Sequence, residues 1–492
     1  MEIELKLAMP AKGGDTLLRH AAFREAAAKS VHQVTRYFDT ADETLRRAGF
    51  TLRVRHAGNR RVQTLKAAPG TGVAMSRGEW EWDVAQDMPD LALLAETPAR
   101  SVAADVRAAG LAELVATVVD RRTWLLHLAG GTRVEAAFDT GRVTAGERHA
   151  PLHELELELK SGDAAPLYRL ALELHAMLPM TILAESKAAR GFALRGDVAV
   201  AAIEAEDVML GGDLRVQDGF RSLTQAALGH MLANAPAARA GLMEGIHQIR
   251  VAARRLRALL VLFAPLLEPA AAGRFNAELR RLGEVFGQAR NWDVFCAETL
   301  TGAGALTERI EPLRGGATGR RAAAHRALAA ELDAPAFTSV VLGVAAWAEG
   351  GRAVSGEDGP LARSVPALLD RLAHKVDARA KHLARLPDED LHALRKSLKK
   401  LRYGIDFVVG LYPGKAATKY LDACKDLQEV LGAINDSATA VQLAEELCQA
   451  GGAALAPAMV ALARHAEARR EAAKARLTIV WDQFAAQTRF WS

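Results

Sequence analysis

Glu2, Glu4 and Lys6 alternate with Ile3, Leu5 and Leu7. On a β-strand, residues i, i+2 and i+4 share a face, so two carboxylates and an ammonium group project together and the apolar three point the other way. The same split recurs downstream. Arg53 and Arg55 oppose Leu52 and Val54; Arg77, Glu79 and Glu81 oppose Trp80 and Trp82; Glu154, Glu156, Glu158 and Lys160 oppose Leu155, Leu157 and Leu159. Any one such face is an ordinary solvated surface. Jointly they put acids on some strands and bases on others, which a solvated sheet does not require. A closed barrel with a polar lumen would turn all these faces inward beneath an apolar, helix-covered exterior. Carboxylate oxygens in such a lumen suit hard divalent cations, and Arg and Lys suit phosphate oxygens. Phosphoryl transfer needs little beyond this positioning and charge neutralisation.

A second set of residues lies on helical spacing. At 100° per residue, His247, Arg250, Arg254 and Arg257 fall within an arc of roughly 80°, with Ile249, Leu256, Leu260 and Phe263 opposite. His392, Arg395, Lys399 and Arg402 form a matching stripe opposite Leu394, Leu398, Leu401 and Ile405, while Arg255, Lys396 and Lys400 flank the two cationic sides. A solvated amphipathic face would interleave acids at i+4, and these stripes are read as having none. Unrelieved cations repel one another, so a polyanion is implied. Beyond Tyr403 the stripes hold little aromatic material for base stacking, so phosphate recognition without base reading fits better than a specific nucleic-acid site. With Arg at i+3, the imidazole of His247 should be pushed down, which favours hydrogen bonding over acid–base work.

Two kinds of element must position these groups. Up to about residue 200 the pattern is period two, with helical stretches at Asp15 to Lys29, Leu91 to Ala109 and Ala165 to Leu178, so an antiparallel-rich sheet or barrel is expected. After about Gln217 the period becomes 3.6 and strand alternation ceases. Residues 201–217, with Gly211-Gly212, read as a linker, and Gly350 to Pro360 as a second glycine-rich loop. His247-Gln-Ile-Arg250 to Arg257 matches His392-Ala-Leu-Arg395 to Arg402 at a constant offset (392 − 247 = 145), and Leu282-Gly-Glu284 continues it at Leu427-Gln-Glu429. Two homologous helical subdomains follow.

Composition narrows the classes. The 492 residues are 50% apolar, enough for more than one core, and 63 Lys+Arg against 59 Asp+Glu leave a net charge of only +4, so any basic patch must come from segregation. Three cysteines, Cys296, Cys424 and Cys448, with no CxxC pair argue against a disulfide framework or a thiolate zinc site and fit a reducing cytosol. Met1 to Leu7 lacks a basic region followed by an apolar run, and nowhere do 18 uncharged apolar residues follow one another, so neither a targeting nor a spanning segment is expected. Ser339 to Ala348 is too short to span a bilayer and reads as a helix packed internally. There is no Ser–His–Asp order, no P-loop, and no GxGxxG between a strand and a helix.

Glu2-x-Glu4-x-Lys6 resembles the ExExK signature of the CYTH, or triphosphate tunnel metalloenzyme, superfamily. Tyr37-Phe-Asp-Thr40, Leu52-Arg-Val-Arg55, Thr64-Leu-Lys66, Glu154-Leu-Glu-Leu-Glu158 and Glu185-Ser-Lys187-Ala-Ala-Arg-Gly-Phe192 look like its later motifs, in order. The resemblance implies an eight-stranded antiparallel tunnel, a divalent metal, and hydrolysis or cyclisation of a triphosphate. It implies Glu2 and Glu4 as metal ligands with one or more of Glu154, Glu156 and Glu158, Lys6 on phosphate, and Arg53, Arg55, Lys66, Arg121 and Lys187 along the phosphate path. Arg121 is chosen over Arg122 by strand parity from Trp124. Glu79, Glu81, Glu135 and Asp139 are either further acids of the site or ion-pair partners. The repeated His-x-x-Arg stripe resembles the CHAD domain, which implies two pseudo-symmetric helical bundles binding inorganic polyphosphate through His247, Arg250, Arg254, Arg255, Arg257, His392, Arg395, Lys396, Lys399, Lys400 and Arg402. Lys399 and Lys400 stand where the first stripe has Arg, exchanging bidentate forks for point charges. Asn291-Trp-Asp293 and Asn435-Asp436 resemble family elements that are either caps or ligands.

The expected protein is thus α+β: a CYTH tunnel over residues 1–200 with flanking helices, a linker at 201–217, and an all-α CHAD domain over 218–485. The expected function is Mg²⁺- or Mn²⁺-dependent hydrolysis of inorganic tripolyphosphate, in the cytoplasm beside polyphosphate stores, with no membrane partner and the oligomeric state open. The rivals are a nucleoside or thiamine triphosphatase, an adenylate cyclase, or a non-catalytic polyphosphate-binding protein. The number of carboxylates speaks against the last.

Overall fold

The computed structural model describes residues 2–68, 70, 72–196, 200–301, 304–351, 353–355 and 358–491, with backbone alone for Glu2, Met75–Arg77 and Ala305. They form two compact units, one of residues 1–201 with 333–350, the other of 202–332 with 351–492.

In the first unit the alternation expected from the sequence becomes β1 (Glu2–Ala8), β2 (Lys29–Asp39), β3 (Phe50–Ala57), β4 (Arg60–Ala67), β5 (Met75–Arg77), β6 (Glu79–Asp83), β7 (Ala112–His127), β8 (Arg133–Ala145), β9 (Arg148–Ser161) and β10 (Thr181–Ile182). They form one antiparallel sheet in the order β10-β1-β9-β8-β7-β2-β3-β4-β6, with β5 pairing β1 off this path. The expected eight strands are ten among the described residues because Gly78 separates β5, which pairs with Glu2 to Glu4 of β1, from β6, which pairs with β4, and because the two-residue β10 is added beside Leu7 and Ala8. The ladder is not one closed barrel, since the outer edge of β1 is divided between β5 and β10.

Strand parity holds. Leu5, Leu7, Leu155 and Leu157 are fully buried, with Leu167, Leu170 and Leu174 of α5 (Ala165–Met177) in the core on that side. Trp80 and Trp82 join Leu52 and Leu65 in a separate apolar cluster. The helix expected over Asp15 to Lys29 is instead two single turns, α1 (Gly14–Leu17) and α2 (Ala21–Arg24), the second capped by His20, after which Val31, Val34, Thr35 and Tyr37 draw the chain into β2. Leu91 to Ala109 likewise breaks at Thr97-Pro98 into two 3₁₀ turns before α4 (Ala103–Ala109). A further turn, α3 (Thr44–Arg47), follows β2.

The helix α12 (Pro335–Glu349) belongs to this unit although it lies far along the chain. It packs on α5 and β10. His175 of α5 joins the two, its Nε2 2.9 Å from the Pro335 carbonyl and its Nδ1 accepting from Met180 N at 3.0 Å.

The second unit is helical. Its elements are α7 (Val216–Arg239), α8 (Met243–Leu262), α9 (Pro269–Val294), the single turn α10 (Thr307–Ile310), α11 (Arg314–Asp333), α13 (Leu361–Arg379), α14 (Asp388–Val408), α15 (Lys415–Gly451) and α16 (Ala456–Ala485); α6 (Lys187–Arg195) belongs to the first unit. The repeat is visible in the starts of matching helices: 361 − 216 = 145, 388 − 243 = 145 and 415 − 269 = 146. Helices α8 and α14, which carry the cationic stripes, pack on each other. The segment before α7 is held by Asn234, whose side chain bonds both Ile203 N and Ile203 O at 2.9 Å. Among the described residues no single helix is long and apolar enough to cross a membrane.

Candidate functional sites

Within the strand-containing unit, Glu4, Lys6, Arg53, Arg55, Lys66, Arg121, Glu156, Glu158 and Lys187 all line one cavity of about 230 Å³, with Tyr37, Glu79, Glu81 and Glu135. Register produces this convergence. Glu4 stands opposite Glu158 and Lys6 opposite Glu156 across β1 and β9, and Arg121 stands opposite Asp139 across β7 and β8. Lys187 arrives from outside the sheet at the start of α6, where the Ser186 hydroxyl accepts from Ala189 N at 3.1 Å and sets the helix N-terminus facing the cavity. Close approach of α6 depends on Gly191, since a Cβ there would lie 2.1 Å from Val115 Cγ1. Phe192 then buries among Val115, Val119 and Leu152.

The cations and acids neutralise one another in a chain. Lys187 Nζ lies 2.7 Å from both Asp139 Oδ2 and Glu156 Oε1 and also meets Glu154. Lys6 donates to Glu156 Oε1 at 2.7 Å and lies 3.0 Å from Glu4 Oε2. Arg121 forks onto Asp139 at 2.7 and 2.6 Å and reaches Glu156 Oε2 at 2.5 Å. Burial alone would raise the Glu156 carboxyl, but Lys187, Lys6 and Arg121 hold it well below the usual carboxylate range. Against the same opposing burial, Glu156 and further acids raise Lys6 and Lys187. Lys66 and Arg53 share Glu79 at 2.8 and 3.5 Å.

Arg55 differs. Its Nε is sealed from solvent without an acceptor among the described residues, and burial, Arg53 and Arg121 push its guanidinium down to about 10. Beside it Tyr37, which burial would raise, is lowered by Arg53, Lys187 and Arg55. Strand parity of Tyr37 with Thr35 could have marked it as lumen-facing. The neighbouring Asp39 of the same motif is structural: it accepts backbone N–H bonds from Thr40, Leu45 and Arg46 at 2.8 to 2.9 Å and so folds the turn after β2.

Two predicted metal ligands stand apart. The Glu2 side chain lies outside the described residues, and Glu154, fully buried, does not line the cavity because Lys187 and Arg190 engage its carboxylate behind it. Asp139, left open between acid and ion-pair partner, pairs with Arg121 and also groups with Glu154 and Glu156, one oxygen of each lying within 4.8 Å of the others. This buried acidic cluster could hold a metal ion. Glu4 Oε2 is a further buried oxygen, with the Lys6 ammonium 3.0 Å away but no well-aligned hydrogen bond among the described residues, and an all-carboxylate donor set fits a hard divalent cation.

The helical unit has its own cavity, about 480 Å³, lined by His247, Arg250, Arg254, Arg255, Arg395, Lys399 and Arg402. Arg257, His392, Lys396 and Lys400 do not line it. Arg257 donates to Asn276 at 3.3 Å, and His392 hydrogen-bonds Asn435. Contrary to the acid-free reading of the stripes, Asp406 pairs with Arg402 at i+4, 3.1 Å away, and Asp436 approaches Arg395 at 3.6 Å. Burial and the charges of Arg395, Arg254 and Arg250 still push Lys399 down to about 6, and burial with Arg254 and Arg395 pushes Arg250 to about 10. His247 is lowered as expected, by burial first and Arg290 next. Arg290, on the cavity wall, escaped the sequence reading because its counterpart 145 residues on is the uncharged Asn435. Asn291 and Asn435 also line the cavity, whereas Asp293 is fully buried elsewhere, accepting from Arg321 and His325 at 2.7 and 2.8 Å.

Residues 1–192 match the model of the CYTH domain, and residues 222–445 that of the CHAD domain. An inorganic triphosphatase of Haemophilus influenzae is 28% identical over 194 residues, 39% of this chain and 54% of that protein, so the chain spans about half the length of that curated relative. A crystal structure of the CHAD domain from the plant Ricinus communis is 29% identical with a TM-score of 0.52, covering 58% of this chain and 98% of that one.

Proposed function

The chain is a CYTH domain followed by a CHAD domain, and from that premise we propose that its tunnel hydrolyses inorganic tripolyphosphate with Mg²⁺ or Mn²⁺ while its helical cavity binds inorganic polyphosphate. The observation that carries the first half is Arg55, a cavity guanidinium with a sealed, unpartnered Nε among carboxylates already claimed by other cations. Even a half-buried cation without a counter-charge is costly, and a phosphate oxygen supplies one. The triphosphatase named among the relatives supports the same chemistry.

In this reading Glu4, Glu156 and Glu158, with Glu2, would hold the metal, which when bound supplies Lewis-acid polarisation of phosphate oxygens. Glu154 would act behind them by orienting Lys187. Arg53, Arg55, Lys66 and Arg121 bind the phosphate chain, and Lys6 and Lys187 trade part of their carboxylate contact for phosphate. Water adds to the terminal phosphorus, a cavity carboxylate takes its proton, and the bridging P–O bond breaks with its electrons leaving on pyrophosphate. The cations stabilise that departing charge. The helical cavity would hold polyphosphate through Arg250, Arg254, Arg395, Lys399 and their neighbours, keeping the enzyme beside cytoplasmic polyphosphate stores.

The test is phosphate release from tripolyphosphate, ATP and thiamine triphosphate, with Mg²⁺, Mn²⁺ or chelator, for wild type and Glu4→Ala. Preference for tripolyphosphate that vanishes with chelator and with the substitution is expected. No release from any substrate, with polyphosphate still bound, would make this a binding protein.

A further inference from the structure

Among the described residues, Glu43 is one of two non-glycine residues whose backbone lies in the left-handed region, at φ 59° and ψ 45°. A Cβ makes that conformation costly, and Gly or Asn would adopt it more readily. The turn holds it from both sides: Glu43 N donates to the Thr40 carbonyl and the Glu43 carbonyl accepts from Arg47 N, both at 2.9 Å. Strain of this kind persists where the surroundings fix a side chain in a working position. Here the side chain reaches α6. Glu43 Oε2 engages Arg46 of its own turn, and Oε1 lies 3.5 Å from Arg195 Nη1 in the last turn of α6. Arg46 stands over the ring of Phe192 on α6, 5.5 Å from its centroid. From β9, Arg148 donates to the Leu194 carbonyl at 3.0 Å. Glu43 and Arg195 are both half-buried, so their pair is screened less than one on the open surface.

We propose that Glu43 is a positioning residue for the tunnel: its carboxylate ties the last turn of α6 to the turn after β2, and the helix transmits that hold to Lys187 at its other end. Lys187 and Arg195 are 195 − 187 = 8 residues apart, about 12 Å along the helix axis. The proposal rests on the triphosphatase reading of the cavity. It extends that reading to a residue that does not line the cavity and is bonded to none of the groups assigned to phosphate. With the tie removed, Ala188 and Phe192 still bury against the sheet, so α6 stays in place while the Lys187 ammonium gains play. Ground-state binding is shared with Lys6, Arg53, Arg55, Lys66 and Arg121. Loss of a well-aimed donor to the departing pyrophosphate should therefore fall on kcat rather than on KM.

Glu43→Gly in the full chain relieves the left-handed backbone and removes the carboxylate, so the fold should survive without the tie. On tripolyphosphate with Mg²⁺, kcat should fall about tenfold, KM should move by less than about twofold and the melting temperature should hold. Amide hydrogen exchange along α6 should quicken in the same variant without metal or substrate. Arg195→Met should reproduce the loss from the other partner, and Glu43→Gln, which can still accept from both guanidinium groups, should recover most of it. In a Lys187→Met background, Glu43→Gly should cost nothing more, because its effect passes through that ammonium. A melting temperature that drops in step with kcat would make Glu43 a structural residue only and overturn the proposal. So would unchanged exchange along α6, or a further loss of turnover on top of Lys187→Met. Wild-type protein without turnover overturns the triphosphatase reading and the positioning role with it, whereas an active wild type with kcat unchanged in Glu43→Gly confines the failure to Glu43.

Discussion

Lys187 Nζ and Glu156 Oε1 lie 2.7 Å apart, one from a helix that follows the sheet and the other from the middle of β9. The bond sits at the centre of a buried network in which Lys6, Arg121, Asp139 and Glu154 also take part. Of Lys6 and the five cations expected along the phosphate path, Arg55 alone has no ion pair among the described residues. Among the described residues the other five cations are each held by a carboxylate, whereas Arg55 is not.

Arg55→Met should separate function from stability. It removes a half-buried cation that has no ion pair among the described residues, so the melting temperature should hold or rise, while kcat/KM for tripolyphosphate should fall about 100-fold as one charge-stabilising donor is lost. Thermal melts beside steady-state kinetics check both halves; a large loss of stability would mean that Arg55 is structural.

Lys399 should make polyphosphate binding proton-linked. Its ammonium is pushed from 10.5 to about 6, so in the empty cavity it is neutral above that pH, and bound phosphate favours the charged form. Proton uptake approaching one per chain is expected between pH 6 and 10.5, with affinity falling as pH rises through that window. The same group makes stability rise with pH there, because the unfolded chain holds the proton that the folded one lacks. Calorimetry in buffers of different protonation enthalpy measures the uptake, which Lys399→Met should abolish.

Gly191→Ala should reach the site without touching it. The added Cβ meets Val115 Cγ1 at 2.1 Å, so α6 must move away from β7 and carry Lys187 with it. A stability loss of about 1–3 kcal/mol and a disproportionate fall in kcat are expected, read by urea unfolding and by turnover at saturating substrate.

Residues 333–350 should be needed by the tunnel unit. Residues 1–201 alone would lack the helix that packs on α5 and β10, and β10 pairs with the strand bearing Glu4 and Lys6. That fragment should melt lower and aggregate more than one in which 333–350 is joined to it by a flexible linker. Equal melting curves would show that α12 is dispensable there.

Much of the site was legible in strand parity, because a period of two assigns every residue to one of two faces without reference to the rest of the molecule. Arg121 was separated from Arg122 in this way; Arg121 lines the cavity and Arg122 stacks on Trp124 at 5.2 Å. Parity says nothing of depth, so Glu154 could not be told from Glu156 although they share a face: Lys187 and Arg190, from another element, enclose the first.

The sequence alone thus determined the alternating faces of the tunnel, the doubled helical unit at its offset of 145 residues, and the two cationic stripes, since each is a periodicity carried by neighbouring residues. Tertiary structure alone decided that Arg55 has no ion pair among the described residues, that Arg290 joins the second cavity, and that α12 leaves its sequence neighbours to pack on α5. Those outcomes depend on contacts between groups distant in sequence, where packing and Coulomb energy select partners that no local period encodes.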